Sequence, residues 1–208
     1  MRFGICMSGN EEAFERYLNL PTAAPFTYVE IGAASGRTLR ACIHIIKGKR
    51  ARWKAVAVDL VNGWSLNRKA ILNNTKDDLD KFHIAPETLP EMPWNKCSVI
   101  LQGNGKTFWD LWKGDIDFLF IDGCHGYNCA NNDFVRGSSF VRKGGIVAFH
   151  DANAGCQGGD IQPHCGTGID VRRALQDLGL LTNKCTGWKF LEETNGKNAM
   201  AFFQRIDN

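Results

Sequence analysis

Short apolar runs alternate along this chain with stretches whose apolar residues recur at helical spacing. Apolar residues over 39–46 follow the i, i+3, i+4, i+7 pattern of an amphipathic helix, and the same pattern recurs over 171–178 before Gly179, a typical helix-ending residue. This alternation predicts a mainly parallel sheet with helices on both faces. The apolar runs themselves predict buried β-strands at 27–34, 54–60, 97–103, 116–122 and 144–151.

The two ends of the chain add elements to this core. Asn10 precedes a short amphipathic stretch and is placed to cap a helix over 10–20. Near the other end, WKFLEET and NAMAFFQRI predict two strands that the Asn195-Gly196 region joins into an antiparallel hairpin. We therefore predict one α/β domain over 1–208, with a doubly wound, Rossmann-like, seven-stranded and mainly parallel sheet that ends in this hairpin.

The segments between the strands are less regular. The polar stretch 63–96 is predicted to hold one helix near 65–82 in addition to loop, and 127–141 is predicted to be helical. Stretch 63–96, which contains Trp64 and Trp94, and loop 152–168 are expected to cover a cleft and to select the ligand. Aromatic walls suit a small ligand, although tryptophan also packs in cores.

Composition and charge exclude several classes of protein. A formal net charge of +3, without a basic run, is too small to predict a nucleic-acid surface. No apolar stretch approaches the roughly 18 residues that span a membrane, and the first residues lack the apolar stretch of a secretory signal. We therefore expect a cytoplasmic protein that binds a small molecule and binds neither nucleic acid nor a membrane. A homodimer is the oligomeric state that we consider beside the monomer.

The eight cysteines contain no C-x-x-C pair, and a domain of this size does not need a disulfide scaffold. We expect mostly reduced thiols. Cys156, His164 and Cys165 could contribute to a zinc site, but their spacing matches no common one. Cys124 and Cys129 are expected to be small buried residues rather than nucleophiles.

Candidate chemistry lies where the predicted strands end, because ligands of a doubly wound sheet bind at the carboxyl ends of its strands. The first strand ends in Glu30 and a G-x-x-x-G turn from Gly32 to Gly36. The glycines permit a tight turn that approaches a ligand closely, so a side chain at Gly32 is expected to block binding without unfolding the domain. Close packing alone is the other explanation of such a turn. Asp59 ends the second strand and could accept both hydroxyls of a ribose or satisfy its own turn.

Two further strand ends carry acidic residues and histidines, in the segments I-D-G-C-H-G-Y and F-H-D. An imidazole can take up a proton near neutral pH, so a histidine at position 125 suits a general base, although it could equally be a loop histidine bonded to the backbone. His150 could be functional or could simply orient Asp151. These residues therefore remain candidates whose roles depend on where the fold places them.

The acidic residue, the G-x-x-x-G turn, the second acidic residue and the terminal hairpin resemble class I S-adenosylmethionine-dependent methyltransferases over about 26–206. The resemblance implies that the turn at Gly32 lines the methionine part of the cofactor, that Asp59 binds its ribose, and that Gly103-Asn104 meets its adenine. The implied cofactor-binding residues are Glu30, Gly32, Ala33, Gly36, Asp59, Leu60, Gly103, Asn104 and Asp122.

The second half resembles small-molecule methyltransferases with I-D-G-x-H-x-Y and F-H-D motifs and is similar to the catechol-type O-methyltransferases. In the latter, carboxylates at these strand ends hold a divalent metal that binds two substrate oxygens. The resemblance implies metal ligands at Asp122, His150 and Asp151, with Mg²⁺ or Mn²⁺, and catalytic roles for His125 and Asp122. His125 and His150 depart from the catechol pattern. A second mechanism therefore stays open beside the metal mechanism, in which His125 alone is the base and is held by Asp122.

Other classes of protein fit the sequence less well. GNGKT at 103–107 lacks the first glycine of a phosphate-binding loop, because position 100 is Ile100. None of the three tyrosines has the lysine four residues later that a short-chain dehydrogenase requires. A methyltransferase-like module that binds without catalysis remains the main alternative.

Overall fold

The strands form where the apolar runs predict them, and one additional short strand joins the sheet. The computed structural model describes residues 9–20, 25–34, 36–59, 79–82, 94–101, 105–153, 168–195 and 199–207. The strands are β1 (Phe26–Ile31), β2 (Trp53–Asp59), β3 (Leu79–Phe82), β4 (Lys96–Leu101), β5 (Ile116–Ile121), β6 (Val141–His150), β7 (Trp188–Glu193) and β8 (Met200–Arg205).

One helix precedes the first strand and the others connect successive strands, as expected for a sheet with helices on both faces. They are α1 (Glu11–Leu18), α2 (Arg37–Lys49), α3 (Gly105–Leu111), α4 (Tyr127–Gly137), a 3₁₀ turn (Ser138–Phe140) and α5 (Gly168–Asp177). Within the described residues, no helix combines the length and the apolar character that crossing a membrane requires.

The strand order is β3-β4-β2-β1-β5-β6-β8-β7. Strands β1 to β6 pair in parallel, and β8 inserts antiparallel between β6 and β7. The predicted doubly wound sheet with a C-terminal antiparallel pair is thus confirmed. The sheet has eight strands, one more than the seven predicted. Residues 79–82, which we predicted to end a helix, pair instead with β4 and occupy the backbone hydrogen-bonding groups on its outer edge.

Side chains on the two faces of the sheet form two apolar cores. Alternate residues of β1 divide between them: Tyr28 faces α1 and α2, whereas Val29 faces α3, α4 and α5. Both faces of the central strands are therefore buried, as the continuous apolar runs predict for parallel strands. The carboxyl edge of β1, β2, β5 and β6 is left as the place where polar side chains can gather.

Helix boundaries show which local signals were reliable. At the end of α5, Gly179 has a φ of +73°, and the bonds from Leu180 N to Leu175 O and from Gly179 N to Gln176 O close the turn as predicted. Two expectations were wrong. The Asn10 side chain makes no capping hydrogen bond, and the predicted 127–141 helix ends at Gly137.

Candidate active site

The ends of β1 and β5 lie in direct backbone contact at Gly32. Gly32 N donates to Val58 O at 2.8 Å, and Asp122 N donates to Ile31 O at 2.8 Å, so the ladder of hydrogen bonds continues beyond the strands. Gly32 has a φ of +91°, and a Cβ at this position would lie 2.2 Å from Asp122 O. The glycine is therefore required by close packing against Asp122, and the expectation that a side chain here would only obstruct a ligand is incomplete.

Asp59 holds the glycine turn from the neighbouring strand. Its Oδ2 accepts a hydrogen bond from Ala34 N at 2.6 Å, and Ala34 is a non-glycine residue with a φ of +44°. Gly36 N donates to Ala33 O at 2.7 Å, which closes the turn before α2 begins. A carboxylate thus ties the end of β2 to the turn that follows β1.

Glu30 is buried beneath this turn, with 1% of its surface exposed. Burial raises the pKa of Glu30 well above its ordinary value; the hydrogen bond from Tyr28 Oη, at 2.9 Å, opposes the shift, and the charges of Asp122 and Asp59 reinforce it. The carboxyl group is therefore neutral over a wide pH range. The sequence contains a signal for this contact, because residues two apart on a strand face the same side.

Replacing Glu30 by glutamine is expected to remove a pH dependence of stability. The folded state of the wild type binds the Glu30 proton more tightly than the unfolded state, so its free energy of unfolding falls as pH rises above the ordinary pKa, with a slope approaching about 1.4 kcal/mol per pH unit. Glu30→Gln keeps an acceptor for Tyr28 but cannot ionise. In urea unfolding experiments from about pH 4 to pH 8, the free energy of unfolding should decline less in Glu30→Gln than in the wild type.

The exposed Glu12 of α1 offers a matched control for this prediction. Glu12→Gln removes a carboxylate of the same type from a solvated position, so its stability should follow the wild-type curve. Identical pH profiles for the wild type and Glu30→Gln would contradict a neutral, buried Glu30.

Two histidines and two carboxylates converge at the ends of β5 and β6. His150 Nδ1 lies 2.9 Å from Asp122 Oδ1 and 3.4 Å from Asp151 Oδ1. His125 Nε2 lies 3.6 Å from Asp122 Oδ1 and 3.4 Å from Asp151 Oδ2. The fold brings these four residues together because β5 and β6 are adjacent and in register, with Ile121 opposite Phe149.

The cluster carries strong local charge. Burial alone would raise the pKa of Asp122, but His150 and His125 lower it to about 2. Burial likewise favours neutral His150, but Asp122 and then Asp151 raise the pKa of His150 to about 10. Asp122 and His150 therefore form an ion pair at neutral pH, whereas the His125 side chain is 26% exposed and accessible to a ligand.

The donor set also fits a divalent cation. Asp122, His125 and His150 each offer one ligand atom, and these three atoms lie within 4.8 Å of one another. Neither His125 Nε2 nor the ring nitrogens of His150 make a hydrogen bond of good geometry within the described part of the chain. Two imidazoles with carboxylate oxygen favour Mn²⁺ or a similar ion over Mg²⁺. Compared with the predicted set of Asp122, His150 and Asp151, this group includes His125 in place of Asp151.

Several predicted features fall outside the described residues. These are Leu60, Gly103 and Asn104 of the expected cofactor site, most of segments 63–96 and 152–168, Trp64, the turn after Asn195, and Cys156, His164 and Cys165. Among the cysteines that the structure does describe, none forms a disulfide.

A doubly wound sheet with a glycine turn after its first strand and carboxylates at the following strand ends is the arrangement of class I S-adenosylmethionine-dependent methyltransferases. A family model described as a methyltransferase domain matches residues 29–152, more than half of the chain, and the protein belongs to this family. No curated protein matches the sequence.

Solved structures share the fold at low sequence identity. An O-methyltransferase from Bacillus cereus in complex with SAH has a TM-score of 0.59 at 12% identity, covering 99% of this chain and 92% of that one. TomG, an O-methyltransferase from Streptomyces achromogenes in complex with SAM, has a TM-score of 0.58 at 12% identity, with coverage of 99% and 92%. NodS, an N-methyltransferase from Bradyrhizobium japonicum in complex with S-adenosylhomocysteine, has a TM-score of 0.58 at 13% identity, with coverage of 98% and 89%.

Proposed function

We propose that this protein transfers a methyl group from S-adenosylmethionine to a hydroxyl oxygen of a small molecule. The observation that carries the proposal is the cluster of Asp122, His125, His150 and Asp151 beside the turn at Gly32. The turn lies where the cofactor would bind, and the contact between Gly32 and Asp122 fixes the cluster next to it. A proton-accepting group placed beside a methyl donor is what O-methylation requires.

The cofactor would lie across the ends of β1 and β2. Gly32, Ala33 and Gly36 form the turn against its methionine part, and Asp59, at the end of β2, binds its ribose. Buried Glu30 supports the turn from below. Leu60, Gly103 and Asn104 complete the proposed cofactor site.

In the methyl-transfer step, the acceptor oxygen attacks the methyl carbon while its proton passes to His125. The carbon–sulfur bond breaks, its electron pair stays on sulfur, and the neutral thioether leaves. Asp122 and Asp151 flank His125 and stabilise the imidazolium that forms. A divalent cation bound by Asp122, His150 and Asp151 would lower the pKa of an acceptor hydroxyl. His125 thus has two candidate roles, as a base and as a further ligand.

The experiment that tests the function supplies enzyme and methyl-labelled S-adenosylmethionine to fractionated small metabolites. We expect one fraction to gain label. Cofactor binding without any labelled product would favour a non-catalytic module, and label on nitrogen would exclude the oxygen acceptor. Once an acceptor is known, rigorous chelation followed by return of single metals tests the cation: full activity after chelation would eliminate it.

Replacing Asp59 is expected to weaken cofactor binding through two lost contacts. Asp59→Ala removes the acceptor for Ala34 N and the proposed ribose bonds; a charge-assisted hydrogen bond contributes about 1.5–3 kcal/mol, so the Kd should rise roughly 10- to 100-fold. Asp59→Asn keeps an oxygen for Ala34 and should lose less. Titration calorimetry with S-adenosylhomocysteine measures both, with exposed Asp110→Ala as control. Unchanged affinity in Asp59→Ala would remove this residue from the site.

A further inference from the structure

The backbone turns into the left-handed region at Asp151, directly after β6. Its φ is +54°, a left-handed value that only a few per cent of non-glycine residues adopt, with aspartate among the more tolerant. The turn places the carboxylate between two imidazoles, with Oδ2 3.4 Å from His125 Nε2 and Oδ1 3.4 Å from His150 Nδ1. The position of this carboxylate therefore depends on whatever maintains the turn.

The next residue, Ala152, is held on both sides. Its N–H donates to Ala199 O at 3.1 Å, which extends the pairing of β6 with β8 by one more bond. Its carbonyl oxygen accepts a hydrogen bond from Arg172 Nη1 at 3.2 Å. The Ala152 side chain is completely buried in the core beneath α5. Together these contacts fix the peptide that follows Asp151.

The Arg172 side chain that donates to Ala152 is itself held by an ion pair with Glu193. Its Nη1 lies 2.7 Å and 2.9 Å from the two carboxylate oxygens of Glu193 at the end of β7. The two side chains are 29% and 22% exposed, so solvent screens this pair only in part. A guanidinium held by a carboxylate presents its N–H groups in a defined direction. Helix α5 and the terminal strand pair thus meet at the carbonyl of Ala152.

We propose that Arg172 is a positioning residue for Asp151, acting through the Ala152 carbonyl with Glu193 as its support. Asp151 keeps its left-handed turn because Ala199 holds one side of Ala152 and Arg172 holds the other. The effect on the backbone stands independently of the reaction, whereas the effect on catalysis rests on the proposed methyl transfer.

The test compares crystal structures of the wild type, Arg172→Met, Arg172→Lys and Arg16→Met. Arg16 is a matched control, since it forms a 2.8 Å ion pair with Glu192, the neighbour of Glu193 on the same strand. We expect Asp151 to leave the left-handed region in Arg172→Met, with its carboxylate moving away from His125 and His150. Arg16→Met should keep the wild-type geometry, and Arg172→Lys should keep it in part because the ammonium can still reach the carbonyl.

Kinetics with the identified acceptor give the second readout. Arg172→Met should lower kcat by about 10- to 100-fold, since a misplacement of about 1 Å can cost up to about 100-fold in rate. The KM for S-adenosylmethionine should stay within about twofold of the wild-type value. Arg172→Lys should recover part of the loss.

An Arg172→Met structure with the wild-type φ at Asp151 and both carboxylate contacts would overturn the inference. If Arg172→Met does not fold, Glu193→Gln weakens the support of Arg172 and receives the same two measurements. Absence of methyl transfer in the wild type would refute the proposed function alone, because the structural comparison does not depend on turnover.

Discussion

Gly32→Ala should abolish cofactor binding and also destabilise the domain. The new Cβ would lie 2.2 Å from Asp122 O and 2.5 Å from Asp122 C, so the backbone of one strand end must move. A left-handed φ on alanine adds a cost of about 1–3 kcal/mol. We expect a total loss of about 3 kcal/mol or more, which lowers the Tm of a domain of this size by roughly 6–12 °C.

A second glycine separates the backbone strain from the contact. Gly144 has a φ of +80°, similar to that of Gly32, but a Cβ there would meet no atom within 4 Å. Gly144→Ala should therefore lose only the stability that the backbone strain costs. It should bind S-adenosylhomocysteine as the wild type does. Calorimetry of unfolding and of ligand binding measures both variants. Equal Tm values for the two, or wild-type affinity in Gly32→Ala, would contradict the packing argument.

Gly32 also shows what the sequence could not predict. The G-x-x-x-G turn and its place after a strand follow from the local pattern alone. The identity of the neighbouring atom depends on β1 lying beside β5, and residues 32 and 122 come together only through that strand order. Hydrophobic periodicity identifies strands and their ends, but it contains no information about which strands are adjacent when both faces are buried.

The cluster at β5 and β6 was predictable for a different reason. Asp122, His125, His150 and Asp151 lie within a few residues of strand ends, so a parallel sheet brings them to the same edge once these strands are neighbours. Their distances and charges were not predictable, because they depend on rotamers and burial. Arg172 was missed because its contact with Ala152 is set by how α5 packs against the sheet.

The short strand β3 shows a further limit. Its residues lie in a polar segment, where we predicted a helix near 65–82, and they form a strand by pairing with the outer edge of β4. Strand formation at an edge depends on the available partner more than on intrinsic preference. A segment of four residues contains too little periodicity to indicate its partner in advance.

His125→Ala should lower kcat by about 10²- to 10⁴-fold if its imidazole accepts the acceptor's proton, the usual contribution of a general base. His125 is suited to this role because its side chain is 26% exposed while Asp122 and Asp151 lie within 3.6 Å and 3.4 Å of its Nε2. His44→Ala is the control, because His44 is exposed on α2 on the opposite side of the sheet from α4. It removes a histidine without touching the cluster and should retain full activity.

Two measurements on His125→Ala distinguish the base from a metal ligand. If His125 is the base, added imidazole should restore part of kcat. The affinity for Mn²⁺, measured by electron paramagnetic resonance, should then stay within about threefold of wild type, because three other donors remain. If His125 is a ligand, Mn²⁺ affinity should fall by 10- to 100-fold, the range found when support of a metal site is lost, and imidazole rescue should require added metal. Activity retained by His125→Ala from about pH 6 to pH 9 would exclude His125 as the general base, whereas its role as a ligand is decided by the Mn²⁺ affinity.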